Sequence, residues 1–280
     1  MPGIWTAALL TSLLALSVIG GWLWKTAPRE ERTWLLFAVL AQLPMCGLAF
    51  YGVRQPLDAW VRDGLGAGSE AYRFARVLYA PVTEELAKLW PLVLLSFRQR
   101  LTPGNLTRAG VALGLGFGVG EMWMVAGRVA NNPAVAGLPW YMFGGYLGER
   151  FMVCICHGAF TATALRGLRL WRAPGRGVWA AMGLHGAGNF PIYLASRDFG
   201  KWGEPVWQVL LGLWLIAFFA AMFGLLAYYA YGKGWLQALL GTARCRGCGR
   251  EYPRPWWSLN CVTHRLDRCP HCGRWNWTRA

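Results

Sequence analysis

Charged side chains inside apolar segments are the features of this sequence most able to do chemistry. The segment around APVTEELAKLW carries Glu84, Glu85 and Lys88, and the next apolar segment carries Glu121. Charges in membrane-spanning segments are costly and usually mark function. Two neighbouring carboxylates in a low dielectric cannot both ionise easily, so one can act as a base while the other holds a proton.

Two further apolar segments carry histidines. His157 stands in HGAFT, and HGAGN places His185 and Asn189 one turn apart on one helix face. Histidine and an asparagine amide can donate hydrogen bonds to an oxyanion. The set is sufficient for hydrolysis by an activated water, and the same groups could relay protons in a transporter. The adjacent Glu149–Arg150 pair is interpreted as a tether between helices.

The elements that must position these groups are long apolar helices. Of the 280 residues, 55% are hydrophobic and only 15% are charged, whereas about 25% of a soluble domain is charged. The apolar residues fall in blocks long enough to cross a bilayer core, about 20 residues each. The sequence predicts an all-α, polytopic transmembrane helix bundle of about seven spans, at 4–24, 33–53, 77–97, 108–130, 140–168, 176–196 and 206–231.

Helix geometry predicts that the candidate groups meet. At about 1.5 Å per residue, His185 lies roughly 14 Å inside its span, near the midplane of a ~30 Å core. Glu121 and His157 lie at a similar depth in their own spans. Glycine at every second position of 114–120 removes bulk beside Glu121 and predicts close approach of a neighbouring backbone.

The charge distribution predicts orientation. The net charge of +15 comes from short loops and from the C-terminal tail, with basic residues concentrated in the alternate loops at 25–32, 98–108 and 166–176. Cytoplasmic loops carry such an excess. We therefore expect a multi-pass protein of the cell membrane with its N-terminus outside and its C-terminus in the cytoplasm. The lipid bilayer accounts for the basic charge, so no nucleic-acid partner is expected.

The C-terminal tail contains a metal-binding pattern. Two C-x-x-C-G knuckles, 20 residues apart, match a zinc ribbon with Cys245, Cys248, Cys269 and Cys272 as ligands of a structural Zn²⁺. Cys261, His264 and His271 are spare candidates. The predicted domains are a transmembrane domain at 1–235 and a cytoplasmic ribbon at 243–280. The ribbon would hold a protein partner, and its tryptophans and arginines would also suit lipid headgroups.

Four motifs, in order on successive spans, resemble the PrsW family of intramembrane proteases, which is related to the CAAX-processing and Abi membrane proteases. They are EELAK (84–88), in the form E-E-x-x-K; FGVGE (117–121), in the form F-x-x-x-E; the single histidine of HGAFT; and HGAGN (185–189), in the form H-x-x-x-N. The resemblance covers roughly residues 75–195. Met122 departs from the asparagine that commonly follows the glutamate in that family.

The resemblance implies an intramembrane endopeptidase that cleaves membrane-protein substrates such as anti-sigma factors. It implies that Glu84 or Glu85 activates water, that Glu121, His157 and His185 complete the site, and that Asn189 supports the oxyanion. Lys88 and Phe117 are the supporting members of the motifs.

The sequence leaves the mechanism and two other functions open. Three carboxylates and one lysine leave two uncompensated negative charges in hydrocarbon, and we expect shared protons to balance them in a metal-free, glutamate-type site. The alternative is a metalloprotease with Glu121, His157 and His185 as ligands. A proton-coupled transporter, or an inactive membrane adaptor that works through the zinc ribbon, would be the other functions.

Overall fold

A computed structural model describes residues 3–170, 173, 175–196, 204–255, 257–261 and 264–279. The chain is mostly helical and ends in small antiparallel sheets. The α-helices are α1 (Gly3–Ala15), α2 (Gly21–Thr26), α3 (Arg29–Gln42), α4 (Met45–Gly47), α5 (Gln55–Leu65), α6 (Glu70–Lys88), α7 (Leu95–Arg100), α8 (Leu106–Ala130), α9 (Gly144–Leu170), α10 (Gly175–Ser196), α11 (Glu204–Tyr231) and α12 (Trp235–Leu240). Two π-helical segments, Leu16–Gly20 and Leu48–Arg54, join α1 to α2 and α4 to α5.

Within the described residues, five helical runs are long and apolar enough to cross a membrane. They are Gly3–Thr26, Arg29–Leu65, Leu106–Ala130, Trp140–Leu170 and Pro205–Ala238. Large apolar side chains on their outer faces are exposed, as at Leu13 and Ile216, and hydrocarbon can cover such faces. These runs are consistent with a helical membrane protein, and they coincide with five of the seven predicted spans.

The other two predicted spans do not meet that criterion. The segment at 77–97 is not one helix: α6 ends at Lys88, and a 3₁₀ turn, Trp90–Val93, follows. Pro91 explains the break, because proline lacks an N–H donor and disfavours helical geometry in the residue before it. The segment at 176–196 lies in a helix, α10. Its glycines and polar residues make its mean hydropathy lower than that of the five runs above.

Helix α8 lies at the centre of the bundle because its glycines admit neighbouring backbones. A Cβ at Gly114 would lie 2.3 Å from the backbone nitrogen of Gly158 in α9, and one at Gly110 would lie 2.4 Å from the Cα of Ala162. On another face of α8, a Cβ at Gly116 would approach the carbonyl oxygen of Val39 in α3. The predicted close approach is confirmed, and α8 packs against two helices through its backbone.

The chain divides into two compact units, Met1–Leu226 and Ala227–Ala280, so that the division falls inside α11. The second unit contains a hairpin, β1 (Thr242–Arg244) with β2 (Glu251–Pro253), and a three-stranded antiparallel sheet, β3 (Leu259–Asn260), β4 (His264–Arg268) and β5 (Trp275–Arg279). Its small buried core consists of Ala243, Cys245, Tyr252 and Cys269.

Candidate active site and candidate metal centre

Four helices bring the predicted polar groups into one cluster. Helix α6 supplies Glu84, Glu85 and Lys88, while α8 supplies Phe117 and Glu121, α9 supplies His157, and α10 supplies His185. Glu84, Glu85, Lys88, His157 and His185 are all buried, and Lys88 is 0% exposed. Because every backbone hydrogen bond of a helix is satisfied internally, helices can carry such groups into an apolar interior.

Glu85 and His185 form the first of two carboxylate–histidine pairs. Oε1 of Glu85 lies 2.6 Å from Nδ1 of His185 and 2.6 Å from Nζ of Lys88. We assign the proton of a neutral His185 to Nδ1, because a carboxylate can only accept. The unprotonated Nε2 of His185 then faces Oε2 of Glu84 across 4.0 Å.

Glu121 and His157 form the second pair. Nε2 of His157 lies 2.7 Å from Oε2 of Glu121, and Nδ1 of His157 lies 2.7 Å from Nζ of Lys88. An ammonium group has donors only, so we assign Nδ1 of His157 as the acceptor and Nε2 as the donor to Glu121. The ammonium group of Lys88 therefore contacts both pairs, through Glu85 in the first and His157 in the second.

Aromatic rings enclose the lysine. Its Nζ lies 5.0 Å from the ring centroid of Phe117 and 5.5 Å from that of Phe160. The Phe160 ring also stacks on the ring of His185, with centroids 5.2 Å apart. Ring faces attract a cation and stabilise it where water is excluded. Phe117 therefore supports the site, as its motif implies.

Two arginines reach the cluster, although sequence analysis did not place them there. Nη1 of Arg150 lies 2.9 Å from Oε1 of Glu121, and Nη1 of Arg54 lies 3.6 Å from Oε1 of Glu84. Arg150 also pairs with Glu149. The spacing contained a signal for Arg150, because residues seven apart share a helix face and Arg150 precedes His157 by seven.

These arginines correct the sequence-based charge balance. Lys88, Arg54 and Arg150 provide three positive charges against the carboxylates of Glu84, Glu85 and Glu121. The predicted double negative charge is therefore wrong, since it counted Lys88 alone.

Two further polar residues, Asn189 and Gln42, lie in the same region but outside the cluster. Asn189 lies one turn beyond His185 on α10 and is half-buried, but its amide is not part of the contacts that join the described cluster. Nε2 of Gln42, which sequence analysis did not single out, donates to the backbone carbonyl of Lys88 at 2.7 Å. That bond satisfies a carbonyl at the C-terminal end of α6.

A divalent metal fits the acidic cluster poorly. Glu84, Glu121 and His157 could each offer one ligand atom, all within 4.8 Å of one another. The predicted ligands were Glu121, His157 and His185, so Glu84 replaces His185 in this set. Two ligands of a tetrahedral zinc lie about 3.4 Å apart, whereas the His157–Glu121 contact is 2.7 Å. A metal on Nε2 would also move the ring proton to Nδ1, where it would face the ammonium of Lys88.

The four cysteines of the tail do cluster as a candidate metal centre. The Sγ atoms of Cys245 and Cys272 lie 3.5 Å apart, and those of Cys248 and Cys269 lie 3.8 Å apart. A tetrahedral zinc with Zn–S bonds of about 2.3 Å needs S···S distances of about 3.8 Å, so the four thiols fit that geometry.

The two cysteine knuckles have matching backbones. Gly249 and Gly273, which directly follow the second cysteine of each pair, have φ of 72° and 71°, a conformation that glycine adopts at little cost. Their amides donate to the carbonyls of Cys245 and Cys269, each at 2.9 Å. A hydrogen bond from the backbone amide of Cys248 lowers the pKa of the Cys245 thiol to about 6, which favours the thiolate that a metal binds.

Comparison with protein-family models, with curated proteins and with solved structures found no match to this chain.

Proposed function

We propose that this chain is an intramembrane endopeptidase of the glutamate type, similar to the PrsW proteases, which hydrolyses peptide bonds of membrane-protein substrates. The observation that carries the proposal is the 4.0 Å gap between Nε2 of His185 and Oε2 of Glu84. Both atoms are acceptors when His185 carries its proton at Nδ1, so a water placed between them would donate to both. The oxygen of that water would keep its lone pairs free for attack.

The proposed roles follow from these contacts. Glu85 orients His185 and stabilises its positive charge after the proton moves, as a carboxylate does beside a catalytic histidine. The water oxygen adds to the peptide carbonyl carbon while His185 or Glu84 takes its proton. The same proton then passes to the amide nitrogen as the C–N bond breaks.

The second pair has an electrostatic role in this proposal. Glu121 is held by Arg150 and His157, which fixes the positive charge of Arg150 beside the carboxylates. Asn189, by its resemblance to the family motif, supports the developing oxyanion from α10. Such preorganised donors stabilise the charge that forms in the transition state.

The experiment compares membranes of cells that produce the unchanged chain with membranes containing Glu84→Gln, Glu85→Gln or His185→Asn. Quantitative analysis of new protein N-termini should detect cleaved membrane proteins only with the unchanged chain. Glu149→Gln is the matched control, because Glu149 is half-exposed and, among the described residues, pairs with Arg150 and not with the carboxylates of the cluster. Cleavage that persists in all three site variants would refute the assignment.

A proton-coupled transporter is the second candidate, because one chain of contacts links His185, Glu85, Lys88, His157 and Glu121 at 2.6–2.7 Å. Such a chain can relay protons across an apolar interior. A pH-sensitive dye inside proteoliposomes distinguishes the two functions. Proton flux that Lys88→Met abolishes, without any cleaved protein, would favour the transporter.

We also propose that the cysteine cluster holds a structural Zn²⁺ in a zinc ribbon. The fit of the Sγ distances and the matching knuckles support it. Four thiolates leave no open coordination position, so the metal would stabilise the small C-terminal unit and take no part in hydrolysis.

A further inference from the structure

The three-stranded sheet of the C-terminal unit presents an aromatic face to solvent. Residues directly opposite in an antiparallel sheet share a face, and the register pairs Leu259 with Leu266, Leu266 with Trp277, and Arg268 with Trp275. Trp275 is 62% exposed, Trp277 43% and Leu259 61%. We call these five residues the aromatic face.

The opposite side of the same sheet is polar and buried. Asp267 and Asn276, which pair with each other, are 0% and 3% exposed, and Thr278 is 8% exposed. Buried Tyr252 donates to Asp267 and accepts from Asn276. The sheet thus turns its polar residues inward and its large apolar residues outward, which is the reverse of the usual pattern and marks an interaction surface.

Further aromatic side chains extend this face. Trp257 contacts Trp275 edge-on at 6.3 Å, and the ring of His264 stacks on Trp277 at 5.9 Å. Trp257 is itself 48% exposed. The rings therefore form two packed pairs, one at Trp275 and one at Trp277.

Charge indicates the partner. Residues 242–280 contain eight arginines, no lysine and only two acids, Glu251 and Asp267. Asp267 is buried beside Arg254, whereas Arg244, Arg246, Arg250, Arg268 and Arg274 are exposed. Arg268 lies on the aromatic face itself, and the unit as a whole exposes far more basic than acidic side chains. An aromatic face on such a basic unit suits a partner that is anionic and partly apolar.

We propose that the aromatic face binds the surface of an anionic lipid bilayer. Tryptophan rings prefer the membrane–water interface, and each basic residue near an anionic leaflet adds attraction. The connection to α11 keeps the sheet near the membrane. Only residues 232–241 separate α11 from β1, and ten residues extend at most about 35 Å. Exposed Leu259, which base stacking does not require, favours lipid over nucleic acid as the occupant. The proposal does not depend on peptidase activity.

The test uses the full chain in nanodiscs, one chain per disc, made of phosphatidylcholine alone or with phosphatidylglycerol. Hydrogen–deuterium exchange of amides in 257–261 and 264–279 should slow by at least about fivefold in the anionic discs, which corresponds to the ~1 kcal/mol of one basic residue at such a surface. The double variant Trp275→Ser, Trp277→Ser should lose this protection. Trp60→Ser, at an exposed tryptophan of α5, should keep it.

A charge variant keeps the test independent of sheet stability. Arg246→Glu with Arg250→Glu leaves the aromatic face unchanged and should also remove the protection in anionic discs. Equal exchange in the two kinds of disc would overturn the proposal. Protection that arises only when a single-stranded RNA oligonucleotide is added to neutral discs would overturn it in favour of nucleic acid.

Discussion

At the scale of single residues, ion pairs with basic side chains offset the negative charge of the carboxylates in the cluster. The motifs predicted that Glu84, Glu85, Lys88 and the two histidines meet, and they do. They did not include the arginines. Arg54 approaches from a π-helical segment outside the motifs, whereas the seven-residue spacing of Arg150 and His157 was a signal in the sequence that the motifs do not contain.

Arg150 should act on turnover through Glu121. Its position beside Glu149 predicted a helix tether, but its guanidinium lies 2.9 Å from Glu121. Removing one partner of a partly buried ion pair leaves an uncompensated charge, so Arg150→Ala should lower kcat/KM for a membrane substrate by about 10- to 100-fold. Arg150→Lys should restore part of the loss. The purified variants are compared in a cleavage assay with one substrate.

Glu149 provides the control for that experiment. It contacts Arg150 but not Glu121 in the described contacts, so Glu149→Gln should leave kcat/KM near the original value. If Arg150→Ala cleaves normally while its thermal stability falls, the tether interpretation is correct and the positioning role is not.

At the scale of helices, the sequence identified the glycines but not their two directions. Gly110, Gly114 and Gly118 face α9, whereas Gly116 and Gly120 face the backbone of α3 and the turn after it. This division follows from 3.6 residues per turn, but the identity of each neighbour depends on tertiary packing. The same limit applies to 77–97, where hydropathy favoured one span although Pro91 ends the helix.

Gly120→Ala should destabilise the bundle. Its Cβ would lie 2.0 Å from the carbonyl oxygen of Leu43, and backbone cannot move aside as a flexible side chain can. Overpacking of this kind costs about 1–3 kcal/mol. Thermal unfolding in detergent should show a lower midpoint.

Gly127→Ala is the matched control on the same helix. Its Cβ would meet only the Trp5 ring at 3.5 Å, an ordinary contact, and alanine favours helix over glycine by up to about 1 kcal/mol. Its unfolding midpoint should stay or rise. Equal midpoints for the two variants would show that α8 and its neighbours adjust more freely than the distances indicate.

At the scale of the whole molecule, composition predicted a helical membrane protein with a small cysteine-containing unit. The chain is mostly helical, five helical runs among the described residues are long and apolar enough to cross a membrane, and the four cysteines cluster in a small unit. Orientation across the membrane remains a prediction, because it depends on the distribution of basic loops, and part of the relevant sequence (197–203) lies outside the described residues. Chain direction alone does not determine which side of a bilayer a helix end occupies.

The C-terminal cysteines should be protected from outside the cell. An impermeant thiol reagent should fail to label exposed Cys261 in intact cells and should label it once the membrane is opened, because the tail is predicted to be cytoplasmic. A cysteine placed at Ala134, in the loop between α8 and α9, is the complementary probe and should react from outside. The reverse pattern would invert the topology.

Purified protein should contain one zinc per chain. Elemental analysis should find about one equivalent, which Cys245→Ser with Cys248→Ser removes, because two of the four thiolates are then lost. Glu121→Gln should leave the zinc content unchanged, since the acidic cluster fits a metal poorly. A second equivalent that disappears with His157→Ala would contradict the metal-free site.

The two carboxylate–histidine pairs also have a consequence for biosynthesis. The chain leaves the ribosome in order, so Glu84, Glu85 and Lys88 are made before the segment that carries His157, and His185 follows later still. Until α10 is in place, Glu85 lacks one of its two partners. The half-made protein must therefore stay in contact with the insertion machinery or with water. His185 then completes the pairing and allows the bundle to close around its charges.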